Sequence, residues 1–274
     1  MELIKKLNNV AFELSHMCPL SDIHKECPVR FVQAKNKIMP LSTIQITLEK
    51  LIPYNPRPFI YFHVYNEPSI DCRLLYIIHH IRKHMNLDWP ISVHTNGYSF
   101  DENVIKEFSD EGVYEVVSTL RSKEDYIRWK DIKNKVQDDK MGIKLITQFF
   151  DLRLELYGDK IIGMEKWKKI YGHEFECEFM TRWLGIDPDG DIMLCEYDWK
   201  RTIKHGNIIT DNIEDIFKRK LELSKKVNSC KENIKPCDVC SFCRIKDSYR
   251  GKDFKCISVM KQYMEEANGG RAEA

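Results

Sequence analysis

The sequence predicts an α/β protein, a parallel sheet or open barrel followed by a smaller cysteine-rich region built on a β-hairpin and a helix. Three observations predict it. Apolar strands and helical segments alternate about five times across residues 9–150. Each strand ends in polar residues, so the loops that could bind a ligand gather on one rim. Seven of the ten cysteines lie at or beyond Cys177.

The first strand is the apolar run Asn9 to Ser15, and Cys18 and Cys27 bracket the polar loop after it. Pro40 to Leu51 has helical spacing, with Leu41, Ile44, Leu48 and Leu51 on one face. Pro58 to Tyr65 is the second strand, ending in Asn66-Glu67-Pro68. A carboxylate where a buried strand meets a loop is costly unless it holds something cationic or rich in hydrogen-bond donors. The bland alternative is a capping acid near Asp71. Leu74, Ile77, Ile78 and Ile81 mark the next helix.

Ile91 to Gly97 reads as a third strand stopped by an Asn-Gly turn. Asp101 opens a helix over Glu102 to Asp110 that ends at Gly112, and Tyr114 to Ser118 is the fourth strand. Helical residues from Tyr126 to Val136 lead to a fifth strand, Gly142 to Phe150. Asp159 to Tyr171 reads as helix or irregular structure. Beyond it, Trp183 to Asp187 and Asp191 to Cys195 form a hairpin across Pro188-Asp189-Gly190. His205-Gly206-Asn207 reads as a turn, and Ile213 to Lys226 as an amphipathic helix opened by Asp211 or Asn212. The expected organisation is a domain over 1–172, a second over 173–262 and a disordered tail over 263–274.

Hydrophobic content of 43% and charged content of 31% are those of a globular protein with a sizeable core. A net charge of +1 argues against nucleic acid as the main partner. No run of 18 apolar residues occurs, and Glu2, Lys5 and Lys6 interrupt any apolar segment behind Met1, so neither membrane nor export is expected and the predicted location is cytoplasmic. Ten thiols in a reducing compartment point to metal rather than disulfides.

The C-terminal thiols carry the strongest signal. Cys177 and Cys195 bracket the hairpin, and Cys237, Cys240 and Cys243 follow at C-x2-C-x2-C spacing, flanked by Cys230 and Cys256. A C-x2-C step lets two thiolates converge on one metal centre from a single turn. Structural zinc is the competing reading, although seven cysteines exceed the need of one zinc.

The order Cys177-x12-Gly190-x4-Cys195, His205-Gly206-Asn207-Ile208, the helix at Ile213, then Pro236-Cys237-x2-Cys240 resembles the auxiliary-cluster region of radical S-adenosylmethionine enzymes of the SPASM and twitch type. Asn66-Glu67-Pro68 resembles that family's Gly-Glu-Pro motif, and Thr95-Asn96-Gly97 and Ser118 stand at the corresponding strand ends. The resemblance covers about residues 8–256. It implies a partial (βα)6 barrel, two [4Fe-4S] clusters, S-adenosylmethionine as cofactor, and an external electron donor such as flavodoxin or ferredoxin.

By that resemblance, Asn66 and Glu67 meet the methionine ammonium, Asn96 and Ser118 the ribose or carboxylate, and Arg121 the carboxylate. An ammonium wants a carboxylate and carbonyls, whereas a carboxylate wants a fixed guanidinium fork. Cys177, Cys195 and two of Cys237, Cys240 and Cys243 hold the auxiliary cluster. The family's usual C-x3-C-x2-C motif is replaced here by Cys18-x5-His24-x2-Cys27. His24 is the expected third ligand of the first cluster, with Asp22 and Cys72 as alternatives; imidazole is an accepted iron–sulfur ligand.

Gln148 and Arg153, at and just past the fifth strand, are candidate catalytic residues that orient or deprotonate a substrate hydroxyl, with a surface arginine as the alternative reading. The expected function is an oxidoreductase that abstracts hydrogen from a small polar substrate such as an amino sugar, cyclitol or nucleotide-linked sugar. A peptide-modifying or epimerising enzyme is the rival within the family. A binding module on a catalytically dead barrel is the rival outside it.

Overall fold

The computed structural model describes residues 2–20, 37–97, 99–120, 123–138, 141–149, 181–196, 198, 201 and 203–229. Asp22, His24, Cys27, Arg121, Arg153, Cys177, Cys230, Cys237, Cys240, Cys243 and Cys256 lie outside them, as do the expected boundary near residue 172 and the tail.

Helix α1 (Glu2–Lys5) precedes β1 (Asn9–Phe12). Then come α2 (Leu41–Leu51), β2 (Phe59–Tyr61), α3 (Leu74–His79), β3 (Ile91–Thr95), α4 (Glu102–Asp110), β4 (Glu115–Leu120), α5 (Lys123–Asp138) and β5 (Lys144–Phe149). The last described elements are β6 (Trp183–Ile186), β7 (Asp191–Met193), β8 (Lys204–Asn207) and α6 (Ile213–Ser229). The strands form one open sheet in the order β5-β4-β3-β2-β1-β6-β7-β8. Strands β1 to β6 pair in parallel, and β7 and β8 continue antiparallel.

The predicted hairpin is therefore β6 and β7, and its first strand extends the parallel sheet beside β1, with Val10 opposite Leu184. Two readings change. His205-Gly206-Asn207 is the end of β8 and not a turn, because Asn207 pairs with Asp191 on β7 and Gly206 takes φ +124°. Strand β2 holds only three residues, since the chain leaves the sheet after Tyr61.

Alternation along the strands separates two faces. Val10, Phe12, Ile60, Phe62, Ile91 and Val93 pack with Ile44, Leu48, Ile77 and Ile105 of the helices. Ile213, Ile216 and Phe217 of α6 join the same core, so the C-terminal helix is part of the barrel's packing. Lys50 Nζ donates to the carbonyls of Ile208 at 2.6 Å and Asp211 at 2.8 Å, fixing α2 against the entry to α6. On the other face, Ala11, Trp183 and Met193 cluster with Tyr61, Val64 and Tyr65. No described helix is long and apolar enough to cross a membrane.

Candidate cofactor and cluster site

Hydrogen bonds stitch the ends of β1, β2 and β3 into one rim. The Glu67 amide donates to the Met17 carbonyl at 2.9 Å, which ties the residue before the half-buried Cys18 to the loop that follows β2. The Glu67 carboxylate is buried and accepts from Ser69 N at 2.9 Å, Thr95 Oγ1 at 2.5 Å and Asn96 N at 2.6 Å. Thr95 Oγ1 in turn accepts from Gly97 N at 2.9 Å. The donors that a buried carboxylate requires are supplied by the β3 end itself. Asn66, also buried, closes its own loop, donating from Nδ2 to Phe62 O at 3.1 Å and accepting from Val64 N at 3.3 Å.

The rim continues to β4. Gly97 takes φ +73°, and a Cβ there would stand 2.2 Å from Trp129 Nε1 and 2.6 Å from Ser118 Oγ. Only glycine fits so close a crossing of the Asn96-Gly97 turn over β4 and α5. Ser118 is fully buried, and its hydroxyl has no hydrogen-bond partner among the described residues. An orphaned buried hydroxyl beside a glycine turn is a group still waiting for an acceptor or donor. With Asn66, Glu67 and Asn96 on the same rim, it fits a polar cofactor laid across the strand ends.

Cys195, buried, follows β7, and its carbonyl accepts from Asp198 N at 3.3 Å. Thiols at the β1 loop and behind the hairpin suit iron–sulfur ligation by donor chemistry. Cys72 is exposed, past the single-turn helix Pro68–Ile70. Glu67, whose alternative reading was a capping acid near Asp71, is the N-cap of that single-turn helix through its bond from Ser69 N, while Asp71 pairs with Arg73 at 2.7 Å and accepts from its amide at 3.0 Å. Gln148 sits opposite Thr119 in the β4–β5 ladder.

Sequence reasoning missed two groups. Glu13, at the β1 end, is fully buried and shares the Arg201 guanidinium with Asp187. Burial pushes the Glu13 carboxyl up to about 8, against the pull of Arg201. Its signal was a lone charge inside an apolar run. On the face opposite the helices, the rings of His63 and His94 stack at 4.7 Å, with Tyr61 edge-on to His94 at 5.1 Å. All three are half-exposed, and their sequence signal was the polar, aromatic alternation of β2 and β3.

Residues 177–244 match SPASM, an iron–sulfur cluster-binding domain. No curated protein matches the sequence. Among solved structures, the chain is similar to BtrN in complex with AdoMet and 2-DOIA, at TM-score 0.60 and 14% identity over 81% of this chain and 87% of that one. It is also similar to anSMEcpe with bound AdoMet, at TM-score 0.52 and 14% identity over 86% of this chain and 84% of that one. SuiB of Streptococcus suis bound to precursor peptide SuiA aligns at TM-score 0.49 and 12% identity, over 86% and 71%.

Proposed function

The chain has the radical S-adenosylmethionine fold with a SPASM iron–sulfur cluster-binding domain, and on that premise we propose an oxidoreductase acting on a small polar substrate. The observation that carries the reading is the continuous rim from Met17 through Glu67 and Thr95 to Gly97, with the orphaned Ser118 hydroxyl beside it. Cys18, His24 and Cys27 would hold the first [4Fe-4S] cluster, and Cys177, Cys195 and two of Cys237, Cys240 and Cys243 the auxiliary one. When bound, the first cluster and S-adenosylmethionine supply a 5′-deoxyadenosyl radical for hydrogen abstraction.

The protein's part is to bind and orient. Glu67 holds the β3 end in place and, with Asn66, offers acceptors to the methionine ammonium. Asn96 and Ser118 take the ribose or carboxylate, and Arg121 the carboxylate. Gln148 and Arg153 orient a substrate hydroxyl. The half-exposed His63, His94 and Tyr61 rings present a ring surface to a hydroxyl-rich molecule. The substrate proposed is an amino sugar, cyclitol or nucleotide-linked sugar, and BtrN, which shares the fold, was solved in complex with AdoMet and 2-DOIA. Electrons would come from a flavodoxin or ferredoxin.

Anaerobic reconstitution tests this. Two clusters give about eight irons per chain, with 5′-deoxyadenosine released under dithionite and substrate-dependent release from a panel of amino sugars and cyclitols. Cys195→Ser should lose about four irons and keep S-adenosylmethionine cleavage. Zinc without iron sinks the whole reading. Turnover of a peptide, with none of the sugars used, sinks the substrate class.

A further inference from the structure

We propose that Arg201 is a positioning residue that fixes the segment leading from β1 to Cys18 from the hairpin side, across β1 from Glu67. The proposal rests on the cluster reading above for its purpose, and on geometry alone for its existence.

Arg201 lies six positions past Cys195 and three past Asp198. Asp198 O accepts from Arg201 N at 2.9 Å, and its Oδ2 accepts from Ile203 N at 3.1 Å. Arg201 itself takes φ +53°, a left-handed conformation that a non-glycine residue adopts only at a cost. That conformation sends the side chain back to the end of β1. There Nη1 donates to Asp187 Oδ2 at 2.8 Å, while Nη2 donates to Glu13 Oε2 and, at 2.8 Å, to His16 Nε2.

Because a guanidinium has no acceptor, the His16 nitrogen facing it presents a lone pair. His16 is buried, and it immediately precedes Met17, whose carbonyl receives the Glu67 amide. Arg201 thus ties the hairpin turn at Asp187 to the segment before Cys18 by a side chain, alongside the backbone bond from Glu13 N to Ile186 O at 2.9 Å and the route through Lys37, whose carbonyl accepts from His16 N at 3.2 Å and whose ammonium pairs with Asp189. A buried ion cluster of this kind is often neutral or unfavourable for stability when compared with apolar packing, so stability is a weak account of it. The planar fork, which reaches two carboxylates and an imidazole at once, accounts for arginine in particular.

Hydrogen exchange on the reconstituted full chain reads the claim without needing a substrate. Arg201→Met should raise exchange of the amides at positions 13–17 at least tenfold, with β4 unchanged. Arg201→Lys should not rescue them, because an ammonium cannot bridge all three partners. Reduced Arg201→Lys should also lose most of the S-adenosylmethionine-induced change in the first cluster's EPR spectrum while the auxiliary signal stays.

Should Arg201→Met fail to fold, the combination Arg201→Met, Glu13→Gln, Asp187→Asn removes the two buried acids left without their arginine and is expected to show the same loosened 13–17 segment. Exchange changes confined to 187–203, with 13–17 protected as before, overturn the proposal. A wild-type protein that binds no iron defeats the cluster reading, yet leaves the exchange result to decide on Arg201.

Discussion

The Thr95 hydroxyl donates a 2.5 Å hydrogen bond to the Glu67 carboxylate across the ends of β2 and β3, with both side chains buried. The bond joins the two chain segments beyond the end of the ladder between their strands, whose last paired residues are Tyr61 and Ser92. Thr95→Val keeps the shape and removes one of the donors to a buried anion. It should cost about 1–3 kcal/mol in denaturant unfolding and weaken S-adenosylmethionine binding. Glu67→Gln turns an amide NH2 toward groups that are all donors and should cost at least as much. Full stability in both variants would show that the β3 end is held by something else.

Two buried groups set opposite pH dependences. Glu13 is raised from 4.5 to about 8, so between those values the folded state holds a proton that the unfolded state has lost, and its contribution falls as pH rises. Burial also raises Asp187, in the same direction. His205 is lowered from 6.5 to about 3 by burial first and then by Lys220 and Arg219. Its folded state binds fewer protons in that window, so its contribution is complete above 6.5 and is lost as pH falls toward 3. Stability should therefore decline by roughly 1 kcal/mol per pH unit on the alkaline side up to about pH 8, and on the acid side below about 4.5. Glu13→Gln should flatten the alkaline slope and His205→Gln the acid one, as read from denaturant midpoints across pH. An alkaline slope that survives Glu13→Gln assigns it to another group.

Gly97 and Gly112 both have positive φ, at +73° and +68°, yet they differ in surroundings. A Cβ at Gly112 would find its nearest neighbour, Arg82 Nε, at 3.8 Å. Gly112→Ala should cost only the left-handed conformation, about 1 kcal/mol. Gly97→Ala adds a collision with the fully buried Trp129 and should cost several times more or prevent folding. Equal melting temperatures for the two variants would mean that Trp129 yields easily.

How much of this was legible varies with range along the chain. Periodicity found α2 and α4, down to the Asp101 cap that accepts from Asn103 N and Val104 N at 3.0 Å, because those signals are local. Asn66, Glu67, Asn96 and Ser118 were read as one group at the strand ends; the structure has the first two on the loop after β2, Asn96 just past β3 and Ser118 inside β4, two residues before its end. What escaped was long-range. Glu13 and Arg201 are 188 residues apart, and nothing near either one announces the other. Gly206 reads as a turn by propensity, whereas pairing with β7 makes it strand.

Ser118 separates stability from binding. Its hydroxyl is fully buried with no partner among the described residues, so the apoprotein gains nothing from it and bears its desolvation. Ser118→Ala should leave the apoprotein as stable as before, or more stable by up to about 1 kcal/mol. If the hydroxyl meets the cofactor's ribose or carboxylate, the same variant should bind S-adenosylmethionine about tenfold more weakly, the equivalent of one lost hydrogen bond of about 1.4 kcal/mol. Thermal unfolding without ligand and equilibrium binding to the reconstituted protein give the two readings. A variant that is destabilised and binds normally would instead make Ser118 a packing residue, and the cofactor's path along the rim would have to turn away from β4.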